Sequence, residues 1–244
     1  MVRAILEAMG FLTVLRVREL DQDSFARLGQ SAWAFPLVGA VIGVILVAVY
    51  HLLHGVFPPL VRAAVIVTMW IFLTGGLHID GWVDCWDSLA APAPPQDRLV
   101  IMKDSRIGTF GAIALVSLFT LKMGALAYDA FPSRMLFLAP VAGRGIMLLA
   151  AFRSPHVGKG MAATLIESLS SRAVTGALAI TAIVALSTGF LGALATLCAY
   201  AGAVWFKRFA LKRLNVVTGD VIGATCELSE CFIVVVAAIG LPHV

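Results

Sequence analysis

Seven stretches of nearly uninterrupted apolar residues, at about 32–52, 60–77, 109–128, 135–152, 173–189, 190–206 and 219–241, recur along the 244-residue chain. Each approaches the roughly 20 residues needed to cross a hydrocarbon core as a helix, and the shorter ones suit a tilted helix or a thinned bilayer. Apolar residues make up 60% of the chain and charged residues 13%, a balance that a soluble core of this size cannot hide. The expected fold is therefore all-α: one membrane-embedded domain over 1–244, a polytopic bundle of about seven transmembrane helices. Glu7 interrupts the first apolar stretch and no small-residue cleavage site follows, so the amino-terminal segment is expected to stay as an interfacial amphipathic helix. The weakest boundary is the Thr188-Gly189 turn, without which the count is six.

The formal net charge is +4, but the basic residues are dispersed among the loops, where topology places them, and no nucleic-acid partner is expected. The cysteines Cys85, Cys198, Cys226 and Cys231 form no C-x-x-C pair and have no histidines at zinc spacing, so they read as reduced packing residues. Fourteen of the eighteen Lys and Arg fall in the amino-terminal segment and in loops 78–108, 153–172 and 207–218. On a seven-crossing map all four lie on one side. The positive-inside rule then predicts a multi-pass protein of the cytoplasmic (inner) membrane, amino terminus inside and carboxyl terminus outside.

Acidic residues share the asymmetry without any topology rule to explain it: of fourteen, only Asp129 lies toward the outer side. Carboxylates gathered on one face point to a reaction site there. A solvated face accounts for Glu19, Asp21, Asp23 and Asp97, which receive no role. The run Ala91-Pro92-Ala93-Pro94-Pro95 cannot continue a helix and bends the long inner loop between two motif-bearing halves.

The first of those halves is the most informative. Asp80, Asp84 and Asp87 stand at i, i+4 and i+7, which puts three carboxylates on one side of a helix. No Lys or Arg is interleaved, and Trp82 and Trp86 flank them. Three like charges persist beside a membrane only with cationic compensation, and oxygen-only ligands favour Mg²⁺ or Mn²⁺ over zinc. The competing explanation is the polar face of an amphipathic helix. His78 reads more readily as a structural hydrogen-bonding residue than as a catalyst.

Gly76-Leu77-His78-Ile79-Asp80-Gly81, continued by Asp84 and Asp87, together with the string from Ile101 to Gly111, resembles the adenosylcobinamide-GDP ribazoletransferase (cobalamin synthase) family. A third match is Lys212-Arg213 followed by Thr218-Gly219-Asp220, Gly223-Ala224 and Glu227. The family commonly has smaller residues around the second aspartate and a glycine after the third, where this chain has Trp82, Cys85 and Ser88. The resemblance implies Mg²⁺-dependent attack by a ribose hydroxyl of α-ribazole, or of its 5′-phosphate, on the cobinamide-side phosphorus of adenosylcobinamide-GDP, with release of GMP. The aspartate spacing is also similar to that of the CDP-alcohol phosphotransferases.

On that basis Asp80, Asp84 and Asp87 are expected to hold one or two Mg²⁺ ions, and Asp84, Asp87 and Asp104 to be the catalytic carboxylates. Asp87 and Asp104 are the alternatives for accepting the hydroxyl proton. Lys103, Ser105, Arg106 and Thr109 sit just before a helix start, where free backbone N–H groups also favour anions, and are expected to contact phosphate. Asp220 and Glu227, seven apart near the last crossing, are expected to bind a second cation or the ribazole ribose. Glu230 is a weaker candidate. Pairing with Arg144 or with Lys212-Arg213 is the alternative for these acids, and Arg144 itself either reaches a phosphate or neutralises one of them.

Two rival classes are a cation-coupled transporter and a CDP-alcohol-type phosphotransferase acting on lipid. An acidic triad at one face rather than at mid-bilayer argues against the first, and the Lys103–Gly111 string argues against the second. Gly39, Gly43, Gly192 and Gly202 permit close helix contact, either within one bundle or between two copies in a homo-oligomer.

Overall fold

The computed structural model describes residues 2–15 and 22–239, and every regular element among them is helical. Arg16, Arg18, Glu19 and Asp21 lie outside the described residues, as do the carboxyl-terminal residues from Gly240 onward and the side chain of Asp23. Helices α1 (Val2–Leu12) and α2 (Gln22–Ser31) lead through a short 3₁₀ turn into α3 (Phe35–Leu53). They are followed by α4 (Pro59–Leu73), α5 (Leu77–Ala90), α6 (Pro95–Ile101), α7 (Thr109–Leu126), α8 (Ser133–Ile146) and α9 (Leu148–Ala151). The chain closes with α10 (Met161–Ser168), α11 (Ser171–Ser187), α12 (Phe190–Leu214) and α13 (Gly219–Ala237).

Each of the seven apolar stretches contains helix, and the Thr188-Gly189 boundary is real: Gly189 takes φ +87° between α11 and α12. By length and composition, however, four segments suffice to cross a membrane: Arg27–Leu53, Thr109–Leu126, Ser133–Ala151 and Phe190–Leu214. Two further spans arise if α4 is joined to α5 and α10 to α11, each pair bent by 95°. On length and composition the described helices thus supply four crossings, or up to six with the bent pairs, against the expected seven or so. The physical reasons are that α4 has 15 residues and α11 17, while α13, with 19, carries Asp220, Glu227 and Glu230.

Packing explains the glycines and the amino-terminal helix. A Cβ on Gly39 would lie 2.7 Å from Val141 Cα, one on Gly43 2.7 Å from the Phe137 carbonyl oxygen, and one on Gly202 3.0 Å from Phe232 Cδ2, with the ring's Cε2 closer still. These three therefore serve contacts within this bundle, α3 on α8 and α12 on α13. Glu7 is buried, and it accepts hydrogen bonds from Arg3 Nε (3.0 Å) and Ser31 Oγ (2.7 Å), which fastens α1 to the bundle. All four cysteines are free, three of them buried, as expected.

Candidate active site

Local sequence sets up the site at the α4–α5 corner. Gly75 (φ +63°) and Gly76 (φ +74°) both occupy the left-handed region that favours glycine, and the chain turns there by 95°. The i, i+4, i+7 stripe of α5 begins one turn later. Ser88 Oγ donates to the Arg98 carbonyl (2.9 Å), while Arg98 Nη1 donates back to the carbonyls of Ser88 (3.1 Å) and Leu89 (2.6 Å), capping the otherwise orphaned end of α5. Trp82 Nε1 donates to the Ala114 carbonyl of α7 (3.0 Å) and Cys85 is fully buried. The three departures from the family pattern are thus packing solutions that leave the aspartates in register.

Helix α13 closes against α5 from the other side. A Cβ on Gly81 would lie 2.8 Å from Asp220 Cα, and one on Gly223 3.3 Å from His78 Cα. Thr218 Oγ1 accepts the Val221 N–H (3.3 Å) as the α13 N-cap, placing Asp220 in the first turn, where the helix dipole favours a carboxylate. The charges of Asp80, Asp220 and Asp87 all bear on Asp84, and that of Asp80 bears on Asp220. Among the described residues no Lys or Arg forms an ion pair with any of these four.

Two cavities flank this acidic seam. The larger, about 580 Å³, has Asp80, Asp220, His78, Lys103, His156 and Lys159 among its lining residues, along with apolar side chains such as Met102 and Met147. The smaller, about 450 Å³, is lined by Asp84, Asp87, Asp104 and Arg106 together with Ile101, Ile107 and Gly108. The 103–108 loop therefore serves both cavities, Lys103 on one side and Asp104 and Arg106 on the other. Ser105 and Thr109 are exposed beside them and line neither.

Within the loop, Arg106 donates to both oxygens of Asp104, from Nε (3.0 and 3.2 Å) and from Nη2 (2.6 Å). Those hydrogen bonds hold the exposed Asp104 carboxyl down at about 2. Asp87 is engaged as well: its carboxylate accepts the backbone N–H groups of Gly108 and Gly111, both at 2.7 Å. The stripe thus has its three carboxylates on one helix, but they meet different partners. Among the described residues no three His, Cys, Asp or Glu side chains are grouped so as to hold a metal ion by themselves. The donor chemistry of Asp80 and Asp220 still fits Mg²⁺, since both are oxygen ligands without a compensating cation and both line one cavity. Mg²⁺ is characteristically held by one or two carboxylates, with substrate phosphates and water completing its octahedron.

Glu227, Glu230 and Arg144 line neither cavity. Glu230 touches Arg144 Nη1, and Lys122 Nζ bridges Glu227 (2.6 Å) and Glu230 (2.8 Å), all four side chains being buried. Of the two alternatives for these acids, pairing with Arg144 is the arrangement found for Glu230. Lys122 is the partner that sequence reasoning missed; a lysine in the middle of the 109–128 apolar stretch was the available signal. His156 and Lys159 were also missed as cavity residues. Only their flanking glycines, Gly158 (φ +78°) and Gly160 (φ +152°), marked that loop as unusual. His78 is buried and lines the larger cavity, and its Nδ1 has no hydrogen-bond partner among the described residues.

Apolar helices, a buried ion cluster and carboxylates opening onto cavities at one end of the bundle define a helical membrane protein with the makings of an enzyme for charged substrates. The profile of the cobalamin-5-phosphate synthase family matches residues 4–238, and the chain belongs to that family, as a transferase of cobalamin synthesis. It is 35% identical over 241 residues to an adenosylcobinamide-GDP ribazoletransferase of Pseudomonas paraeruginosa, covering 97% of this chain and 98% of that one. It is 34% identical to the enzyme of that name from Brevibacillus brevis (96% of each chain) and 38% identical to that from a Synechococcus species (96% and 95%). No solved structure matches it.

Proposed function

We propose that this protein transfers the adenosylcobinamide-phosphate group from adenosylcobinamide-GDP to a ribose hydroxyl of α-ribazole or its 5′-phosphate, releasing GMP at the cytoplasmic face of the inner membrane. The observation that carries the reading is the pair Asp80 and Asp220, in no ion pair among the described residues, in a cavity they share with Lys103 and Lys159. Carboxylates and ammonium groups around one space suit a pyrophosphate that arrives with a divalent ion, and relatives of this length and similarity bear the corresponding name. Asp80 and Asp220 would hold Mg²⁺, which when bound neutralises phosphoryl oxygens and assists the leaving phosphate.

The chain's own groups supply position and charge, which is most of what phosphoryl transfer asks of a protein. Lys103 and Lys159 anchor the pyrophosphate by charge-assisted hydrogen bonds. Asp84 stands one turn beyond Asp80 on α5, within reach of the charges of Asp80 and Asp220, and neither of its oxygens is taken by a hydrogen bond among the described residues, so it is the carboxylate assigned to accept the proton of the attacking hydroxyl. The new O–P bond forms as the bond to GMP breaks, and GMP leaves with the electron pair. Asp104, held at about 2, is too weak a base for that role near neutral pH.

The decisive measurement is GMP release by purified protein in detergent, supplied with adenosylcobinamide-GDP, α-ribazole and Mg²⁺. Asp84→Asn is expected to lower the turnover by about 10²- to 10⁴-fold, the usual worth of a positioned proton acceptor. Near-normal release at saturating substrate would sink the assignment.

A further inference from the structure

The geometry around Asp87 points to a role other than metal ligation: we infer that Asp87 is a positioning residue that locks the Asp104–Arg106 loop onto α5 and thereby forms the smaller cavity. Both of its oxygens are committed. Oδ2 accepts the Gly108 N–H and Oδ1 the Gly111 N–H, each at 2.7 Å. Gly108 and Gly111 straddle the start of α7 at Thr109, so the carboxylate satisfies amides at the end of the helix where they lack intrahelical partners and where the dipole favours an anion.

The glycines are what admit it. A Cβ on either Gly108 or Gly111 would lie 2.8 Å from Asp87 Cγ, and one on Gly111 would also lie 2.7 Å from Val83 Cγ1. The neighbouring atoms are the short side chain of Asp87 and the α5 wall, neither of which can move aside without giving up the two hydrogen bonds. The two glycines of the Ile107–Gly111 segment are therefore paired with an aspartate more than twenty residues earlier in the chain. What they hold in place is the wall of the smaller cavity: Asp104 and Arg106 stand on the loop immediately before Gly108, facing Asp84 across the same space.

This assignment also accounts for the metal chemistry. Of the three stripe carboxylates, Asp80 lines the larger cavity with Asp220, Asp84 lines the smaller with no donor on it among the described residues, and Asp87 alone is saturated by backbone amides. A shared i, i+4, i+7 face thus carries three separate tasks.

The inference rests on the proposed activity only for naming the cavity, and its test does not use turnover. Hydrogen exchange of the 105–112 segment is measured on the full-length protein in detergent, alongside Mn²⁺ binding followed by electron paramagnetic resonance. Asp87→Asn removes one acceptor, and Gly111→Ala blocks the approach while leaving the carboxylate intact. Both are expected to speed exchange across 105–112 by about 10- to 100-fold, the worth of a hydrogen bond to a charged group. The double variant is expected to go no further than either single one, because both break the same contact. Asp87→Asn is expected to keep Mn²⁺ affinity within about threefold of the parent while Asp80→Asn loses it, a change under the roughly tenfold that losing even an outer-shell partner of a metal typically costs. Unchanged exchange in Asp87→Asn, or loss of Mn²⁺ binding in it to the extent seen in Asp80→Asn, overturns the inference. If the parent protein itself binds no Mn²⁺, the proposed metal site fails while the exchange data still decide the role of Asp87.

Discussion

Lys122 Nζ lies 2.6 Å from Glu227 and 2.8 Å from Glu230, with Trp70 stacked beneath it at 4.5 Å from the ring centroid. One ammonium from α7 thus meets two carboxylates from α13, and Arg144 of α8 completes a cluster of two positive and two negative charges. A balanced cluster of this kind is tolerable in a low-dielectric interior, whereas any three of its members leave a net charge with no water to solvate it. The cluster ties α7 and α8 to α13, the helix that forms one wall of the active-site seam.

Removing Lys122 alone is therefore expected to be costly. Lys122→Met should destabilise the folded protein by about 3–5 kcal/mol, the range for orphaning a partner in a buried ion pair. Combining it with Glu227→Gln restores neutrality and should recover a large part of the loss. Thermal unfolding in detergent, read by tryptophan fluorescence, checks both, and equal stability of the single and double variants would contradict the charge-balance argument.

Asp104 gives a prediction in pH. Arg106 lowers its folded-state carboxyl to about 2, below the ordinary value of about 3.9. The contact is therefore fully present above about pH 4 and is lost only as pH falls through about 2. Across about pH 5 to 8 Asp104 stays ionised and does not titrate, so it contributes no limb to the rate profile. Asp104→Asn is expected to lower the rate while leaving the shape of the kcat/KM profile over that range unchanged. Disappearance of an acidic limb in the variant would return Asp104 to the role of proton acceptor.

The parts of this design that were legible in the chain are those written in local periodicity. The aspartate stripe at 80, 84 and 87 and the Thr188-Gly189 break depend on spacing and backbone freedom, and each is found where the sequence puts it. Long-range partnership is different. Nothing near Asp87 signals that its carboxylate meets amides 21 and 24 residues on, because the intervening Pro-rich bend sets that meeting. The apolar pattern likewise ends α12 near residue 206, yet the helix runs to Leu214. Lys207 Nζ reaches back to the carbonyls of Leu149 (2.8 Å) and Phe152 (3.0 Å), basic residues suit a helix carboxyl end, and Asn215 terminates it at φ +63°. Membrane depth and core packing also use the same apolar alphabet. Composition therefore marked α13 as a crossing without revealing that Glu227 and Glu230 meet Lys122 and Arg144 inside the bundle while Asp220 opens onto a cavity.

The closeness of α5 to α13 supplies the last prediction. A Cβ on Gly81 would sit 2.8 Å from both Cα and the carbonyl oxygen of Asp220. Those are backbone atoms of a helix, so accommodation requires the two helices to part. Gly81→Ala is expected to cost about 1–3 kcal/mol, as overpacking does, and to widen the seam that carries Asp80 and Asp84 on one side and Asp220 on the other. Gly223→Ala presses on the same interface more gently, its nearest contact being His78 Cα at 3.3 Å. If the spacing of the two helices sets the reaction, Gly81→Ala should lose far more turnover than Gly223→Ala, and by more than its change in melting temperature accounts for. GMP release measured beside thermal unfolding for the two variants decides the matter: activity that merely follows stability would mean that the seam tolerates separation, and that Asp80 and Asp220 do not act as a pair.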